Sequence, residues 1–291
     1  MKGKTLSWFL LILLSLIWGS SFILMKRGMD TYSSDEVAAL RIGIAFVFLA
    51  PLLLKFHSIG IKKIWLPIAG MGFFGNFIPA FLFTAAETQI SSSLTGMLNA
   101  LTPIFTVIVS ALWLKNKPNG TQISGIIVGF LAAIALMLFD TNNETSNNAQ
   151  FGLLVVLATV FYALSMNIIR KYLGKVNSVG ATVWAFTFTG PPALIYLFCC
   201  TDFIHHTQSN PLAFQSLIYI SILAIVGSAL SVIAYNVLIR EAGVIFASTC
   251  TYLIPVVAII WGVLDYEVVN LMQILSIALI IGSVYLINRA K

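Results

Sequence analysis

Ten runs of about 20 apolar residues, parted by short polar breaks, fill nearly all of this 291-residue chain. A helix rises about 1.5 Å per residue and the hydrocarbon core of a bilayer is about 30 Å thick, so each run has the length of one crossing. The runs lie near 6–25, 36–54, 65–86, 93–114, 121–139, 151–169, 179–199, 214–238, 244–264 and 271–288. Composition agrees, since 59% of the residues are hydrophobic and 9% charged, too few charges for the water-facing surface of a soluble domain. The expected fold is an all-α integral membrane protein of ten transmembrane helices with no separate soluble domain. Two lysines, an apolar run and Gly19-Ser20-Ser21 also imitate a secretory signal. Cleavage there would spoil the charge pattern described next, so this segment reads as the first helix.

A net charge of +6 suits either a nucleic-acid binder or a membrane protein with basic cytoplasmic loops, and the placement of the charges decides. Lys2, Lys4, Lys55, Lys62, Lys63, Lys115, Lys117, Arg170, Lys171, Lys175, Arg240, Arg289 and Lys291 all fall on one side of the ten runs. The other side holds Lys26 and Arg27 together with the acids Asp30, Asp35, Glu36, Glu87, Asp140, Glu144, Asp202, Asp265 and Glu267. This alternation predicts both termini in the cytoplasm and makes nucleic acid unnecessary as a partner. Cys199, Cys200 and Cys250 lie in or beside the runs and are expected to be packing residues rather than a disulfide framework.

Ten runs divide into two copies of five. A shift of 152 places Gly75 on Gly227, Asn76 on Ser228, Phe83 on Tyr235 and Pro103 on Pro255, and a shift of 144 places Trp18 on Tyr162 and Ser21 on Ser165. An odd number of crossings per copy makes the second copy enter from the opposite side, an inverted-topology repeat of the kind that supports alternating access. The first repeat is expected over 1–140 and the second over 151–291, joined by a polar periplasmic linker at 141–150.

These features resemble the drug/metabolite transporter superfamily in its ten-helix, two-copy EamA-like form. The residues that carry the likeness are Trp18-Gly-Ser-Ser-Phe22, Leu40-Arg41, the stretch from Ser91 to Phe105 and its echo from Ala247 to Val256. The resemblance implies a plasma-membrane carrier, often an exporter, of amino acids or other small metabolites. The family often carries an acid just after the fourth helix of each copy. Asp265-Tyr-Glu267 fits that in the second copy, whereas the first reads Lys115-Asn-Lys117.

A carrier needs polar groups inside the bilayer to replace the water its substrate sheds. The candidate substrate-binding residues are Trp18, Ser21, Asn76, Asn99, Tyr162, Trp184, Tyr235, Asn236 and Tyr252. Ser, Thr and Asn also join packed membrane helices, at about 0.6 kcal/mol apiece, so a polar residue in a crossing does not by itself mark a site. Pro79, Pro103 and Pro255 each remove a backbone donor and are expected to break or gate their helices. Arg41, a charge within a crossing, is expected to snorkel or to form an outer-gate ion pair with Glu36 or Glu87. Because no Asp or Glu is expected at mid-membrane, a proton-coupled pump built on a buried carboxylate is disfavoured.

No catalytic or metal constellation is legible. His57, His205 and His206 are placed in loops, and neither H-E-x-x-H nor G-x-S-x-G occurs. The expected function is therefore not enzymatic and uses no cofactor. It is export of neutral or aromatic amino acids by a secondary transporter in a bacterial cytoplasmic membrane, with lipid as its surroundings and a monomer as its working form. Nucleosides and hydrophobic toxic compounds are alternative cargoes, and a channel or lipid scramblase is the alternative of another class. Gly125 and Gly129, like Ala278 and Gly282, have the spacing of close helix approach within the chain.

Overall fold

The computed structural model describes residues 2–56, 61–115, 117–139, 149–248 and 250–289, excepting the side chains of 2–4, 149, 236, 239, 240, 243–248, 288 and 289. Among the described residues every regular element is helical. Eight helices are long and apolar enough to cross a membrane: α1 (Thr5–Gly28), α2 (Ser34–Phe56), α3 (Ile61–Glu87), α4 (Ser92–Trp113), α5 (Gly120–Leu138), α6 (Gln150–Leu173), α7 (Ser178–Cys200) and α8 (Ala213–Tyr235). Two shorter apolar helices follow, α9 (Cys250–Leu264) and α10 (Leu271–Ile287).

The boundaries depart from the hydropathy reading in two places. The break expected between 239 and 243 is helical, because α8 continues through Ser231–Ser248. Arg240 and Glu241 lower the hydropathy there, yet both residue types favour helix and no proline intervenes. His205 and His206, expected in a loop, lie in a short helix, Phe203–Ser209. Of the linker expected at 141–150, residues 141–148 lie outside the described residues, as does His57, and the linker's last two residues already belong to the helix Ala149–Ile168.

The helices of the two halves interleave. The extensive pairings are α5 with α10, α2 with α7, α3 with α6, α4 with α6, α1 with α9, α4 with α9, and α1 with α8. Replacing each helix by its counterpart five places along the chain maps this set of pairings onto itself. Large apolar side chains such as Leu54, Leu112 and Phe214 point outward, as lipid-facing residues do.

Small residues set the closest approach. A Cβ on Gly125 would stand 2.7 Å from Ile287 and 3.0 Å from the Ser283 carbonyl, and one on Gly129 would stand 2.8 Å from Ser283 Oγ. The α5 glycines therefore let α10 dock closely. Ala278 and Gly282, which have the same spacing, take no part in this contact: Ala278 is exposed and nothing lies within 4 Å of a Cβ on Gly282. The α10 side of the contact is made by Ser283 and Ile287. Of the cysteines expected to pack, Cys250 is buried while Cys199 and Cys200 are exposed, since they end a helix whose last turn faces outward.

Candidate functional site

Two glycine-bearing segments at counterpart positions, Phe73–Phe77 in α3 and Ile225–Leu230 in α8, wind as π-helix. A π turn holds one extra residue and interrupts the regular hydrogen-bond ladder. Side chains from the other half press on both turns. A Cβ on Gly75 would lie 2.5 Å from Ser165 Oγ, and one on Gly227 would lie 3.2 Å from Ser21 Oγ. Ser165 Oγ donates to the Met71 carbonyl at 3.2 Å. Trp18 Nε1 donates to the Gly227 carbonyl at 3.2 Å and to Ser231 Oγ at 3.1 Å. Donors from α6 and α1 thus supply the backbone that the π turns leave under-bonded.

Between the turns lies a cavity lined by Arg41, Ile42, Gly75, Asn76, Tyr162, Phe186 and Ser228. Its volume, about 10 Å³, is close to the room needed for one water. Arg41 Nε donates to Ser228 Oγ at 3.1 Å, and its guanidinium lies 3.7 Å from Met25 Sδ. Neither expected ion pair forms. Glu36 instead accepts from the Ser33 amide at 2.9 Å and pairs with His206 Nδ1 at 2.9 Å, and among the described residues no carboxylate lies within ion-pairing distance of Arg41. The hydroxyl of Ser228 draws the guanidinium inward to the cavity, where it offers planar donors suited to a carboxylate. Asn76, Tyr162 and Ser228 add neutral polar groups, and Phe186 with the Tyr162 ring adds aromatic surface.

An EamA-like transporter family model matches residues 5–138 and again 151–289. The chain belongs to the EamA-like transporter family. It is a secondary transporter of that family rather than an enzyme, and a multi-pass membrane protein with two EamA repeats. A relative described as an "uncharacterized inner membrane transporter YedA", from Escherichia coli, is 24% identical over 286 residues, covering 97% of this chain and 90% of its own. A "probable terminal-alkyne amino-acid exporter" of Streptantibioticus cattleyicolor is 25% identical over 290 residues, covering 96% and 92%. A protein of known crystal structure shares the fold with a TM-score of 0.65 at 13% identity, over 96% of this chain and 95% of its own.

Within this EamA fold, Arg41, Asn76 and Tyr162 meet at the cavity and the other binding candidates whose side chains are described stand away from it. Trp18 and Tyr235 pack against each other with ring centres 5.2 Å apart and planes tilted by 56°. Ser21 donates to the Ile17 carbonyl at 3.1 Å, Thr102 Oγ1 donates to the backbone carbonyl of Asn99 at 2.9 Å, and Tyr252 packs on the apolar core. Trp184 donates to the Phe56 carbonyl at 3.0 Å and faces a separate apolar groove with Leu53, Leu54 and Thr187. The side chain of Asn236 lies outside the described residues.

Two of the three prolines coincide with interruptions. Pro79 opens Ile78–Glu87 just after the first π turn, and Pro103 opens Thr102–Trp113 after the break that ends Ser92–Asn99. Pro255 was expected to do the same but lies inside Cys250–Leu264, where helix continues on both sides. A single lost backbone bond is absorbed there, as neighbouring membrane helices allow. Phe186, which helps complete the cavity, carries no sequence signal of its own, whereas Ser228 is a polar residue within a run that matches Asn76 under the repeat.

A second polar cluster sits at the end of α1. Lys26 Nζ contacts Asp265 at 2.7 Å and Glu267 at 2.9 Å, and Arg27 pairs with Asp265. Glu267 also accepts the backbone amides of Ser92 and Ser93 at 2.9 and 3.0 Å, and both serine hydroxyls. The carboxylate therefore caps the N-terminus of α4, where the helix dipole favours negative charge. Burial alone would raise the Glu267 carboxyl; the hydrogen bonds from Ser93 and Lys26 outweigh it and hold the group below its ordinary value of 4.5. This gives a physical role to the acid after α9. Lys115 and Lys117 stand in its place after α4, so the first repeat has no such acid.

Proposed function

We propose that this EamA-like carrier exports neutral or aromatic amino acids across a bacterial cytoplasmic membrane by alternating access, with its two repeats inverted and both termini in the cytoplasm. The observation that supports this most directly is the cavity between counterpart π turns. Arg41 offers a guanidinium for a substrate carboxylate, Asn76 and Ser228 offer neutral hydrogen bonds, and Phe186 with Tyr162 offers an aromatic wall for the side chain. A cavity of about 10 Å³ has no space for an amino acid, so this shape belongs to the unloaded carrier. With the basic loops in the cytoplasm, the Lys26–Glu267 cluster lies on the periplasmic side, where it joins α1, α4 and the segment after α9 across the two halves.

In the loaded carrier the π turns are the parts that yield, because their backbone is already released from the regular ladder. Exchanging the conformations of the two halves then turns a cavity open to one side into one open to the other. Purified protein in proteoliposomes, offered labelled neutral and aromatic amino acids with unlabelled solute inside, tests the reading. Saturable uptake accelerated by the preload is expected. Flux that neither saturates nor accelerates would replace the carrier by a channel or scramblase, and acceleration by nucleosides alone would reassign the cargo.

A further inference from the structure

Glu87, expected on the outer side just beyond the third run and as a possible partner of Arg41, is the last residue of Ile78–Glu87 and is buried at 7% exposure. Neither carboxyl oxygen has a hydrogen-bond partner among the described residues. The place is hostile to a negative charge for three reasons. Water does not reach it, no donor is offered to it, and the C-terminus of its own helix presents carbonyl dipoles of the same sign.

The charged and titratable groups around it are few. Lys26 on α1, Arg41 on α2 and Glu267 after α9 lie within its electrostatic reach. Tyr162 on α6 packs on Phe83, one turn earlier in α3, at 5.7 Å between ring centres. The helix α4 contributes no titratable residue. Lys26 is held by Asp265 and Glu267, Asp35 accepts from Tyr196 at 2.8 Å, and Glu36 pairs with His206. Arg41, which no carboxylate among the described residues holds, turns to Ser228 and stands beyond ion-pairing distance of Glu87, so neither a cation nor a hydrogen-bond donor meets the carboxyl directly in this shape and a bound proton would satisfy it.

We propose that Glu87 is a proton-binding site, and that the unloaded carrier returns with a proton on Glu87 in exchange for the solute it has exported. The inference rests on the amino-acid carrier reading above. Arg41 lines the cavity and is electrostatically linked to Glu87. A zwitterion that sets its carboxylate on Arg41 brings an ammonium that the ionised Glu87 balances, whereas the unloaded cavity leaves that role to a proton. One proton leaves periplasmic water for the Glu87 carboxylate when solute departs. The same proton leaves the carboxyl for cytoplasmic water when the inner face opens and solute binds. Proton and solute exclude each other, which makes the movement an exchange.

The test uses the full chain in proteoliposomes with pooled, labelled leucine, phenylalanine and tryptophan. Counterflow at equal pH reads the carrier, and accumulation under a gradient of about two pH units, acid inside, reads the coupling. Wild type should accumulate at least about threefold more label with the gradient than without; a one-for-one exchange sets the upper bound at about 100-fold. Glu87→Gln should lose that stimulation and Glu87→Asp should retain it. Counterflow without stimulation in wild type, or stimulation intact in Glu87→Gln, overturns the proton site and leaves the carrier standing. No counterflow with any of the three solutes overturns the amino-acid reading and this inference with it. If Glu87→Gln does not fold, dicyclohexylcarbodiimide, which adds to protonated carboxyls in apolar surroundings, is applied to wild type. Modification of Glu87 that falls about tenfold per pH unit once the site titrates supports the proposal, and a Glu87 that stays unmodified or insensitive to pH overturns it.

Discussion

Arg41 was visible in the sequence as a charge in an apolar run, but its partner was not. Hydropathy places residues along the membrane normal and says nothing about which side of a helix faces which neighbour, so Glu36 and Glu87 were equally available on paper. The structure gives Glu36 to His206 and turns Arg41 toward Ser228. A charge-assisted hydrogen bond to a substrate carboxylate is worth about 1.5–3 kcal/mol. Arg41→Ala should therefore raise the half-saturation concentration in counterflow about 10- to 100-fold, and an unchanged value would remove Arg41 from the site. Glu267 makes a prediction in pH. Its carboxyl is held below the ordinary 4.5, so the stability it contributes is complete above that value and is lost as pH falls through the depressed one. Thermal unfolding of the purified protein in detergent should show an acid-side loss that Glu267→Gln reduces, because the variant has no proton to gain at that position.

At the scale of elements, the helices were legible and their interruptions only partly so. Length and apolar content locate helices in a membrane because the bilayer demands both, and the ten runs appear as eight long and two shorter helices. A π turn has no such requirement in composition. Its trace in this chain was the repetition of Gly75 at Gly227, which marks close approach without naming the backbone form. Pro79 and Pro103 coincided with breaks and Pro255 did not, since the cost of a missing donor depends on what neighbouring helices supply. Gly75→Ala would bring a methyl to 2.5 Å from Ser165 Oγ, against 3.2 Å from Ser21 Oγ for Gly227→Ala. Overpacking of this sort costs about 1–3 kcal/mol, so Gly75→Ala should lower the detergent melting temperature more than Gly227→Ala. Adding Ser165→Ala should recover part of the loss, and equal effects of the two glycine changes would contradict the packing described. Trp18→Phe, which removes the indole donor from Gly227 and Ser231, should cost about 1 kcal/mol in the same assay.

For the whole molecule, the pairing of α1 with α8 and α9 mirrors that of α6 with α3 and α4. The sequence anticipated this organisation because the same small and polar residues recur in order across the two halves. The burial of Glu87 was not legible for the complementary reason: a position at the end of a run fixes its side of the membrane, and only the helices closing over it bury it. The central claim is that the cavity between the π turns serves both faces in turn. The most direct measurement is the reactivity of Asn76→Cys toward a membrane-impermeant thiol reagent applied to each face separately, with Cys199, Cys200 and Cys250 replaced by serine. The account predicts modification from either face, slowed from both by saturating transported amino acid. Modification from one face alone, or at a rate indifferent to the solute, would contradict it.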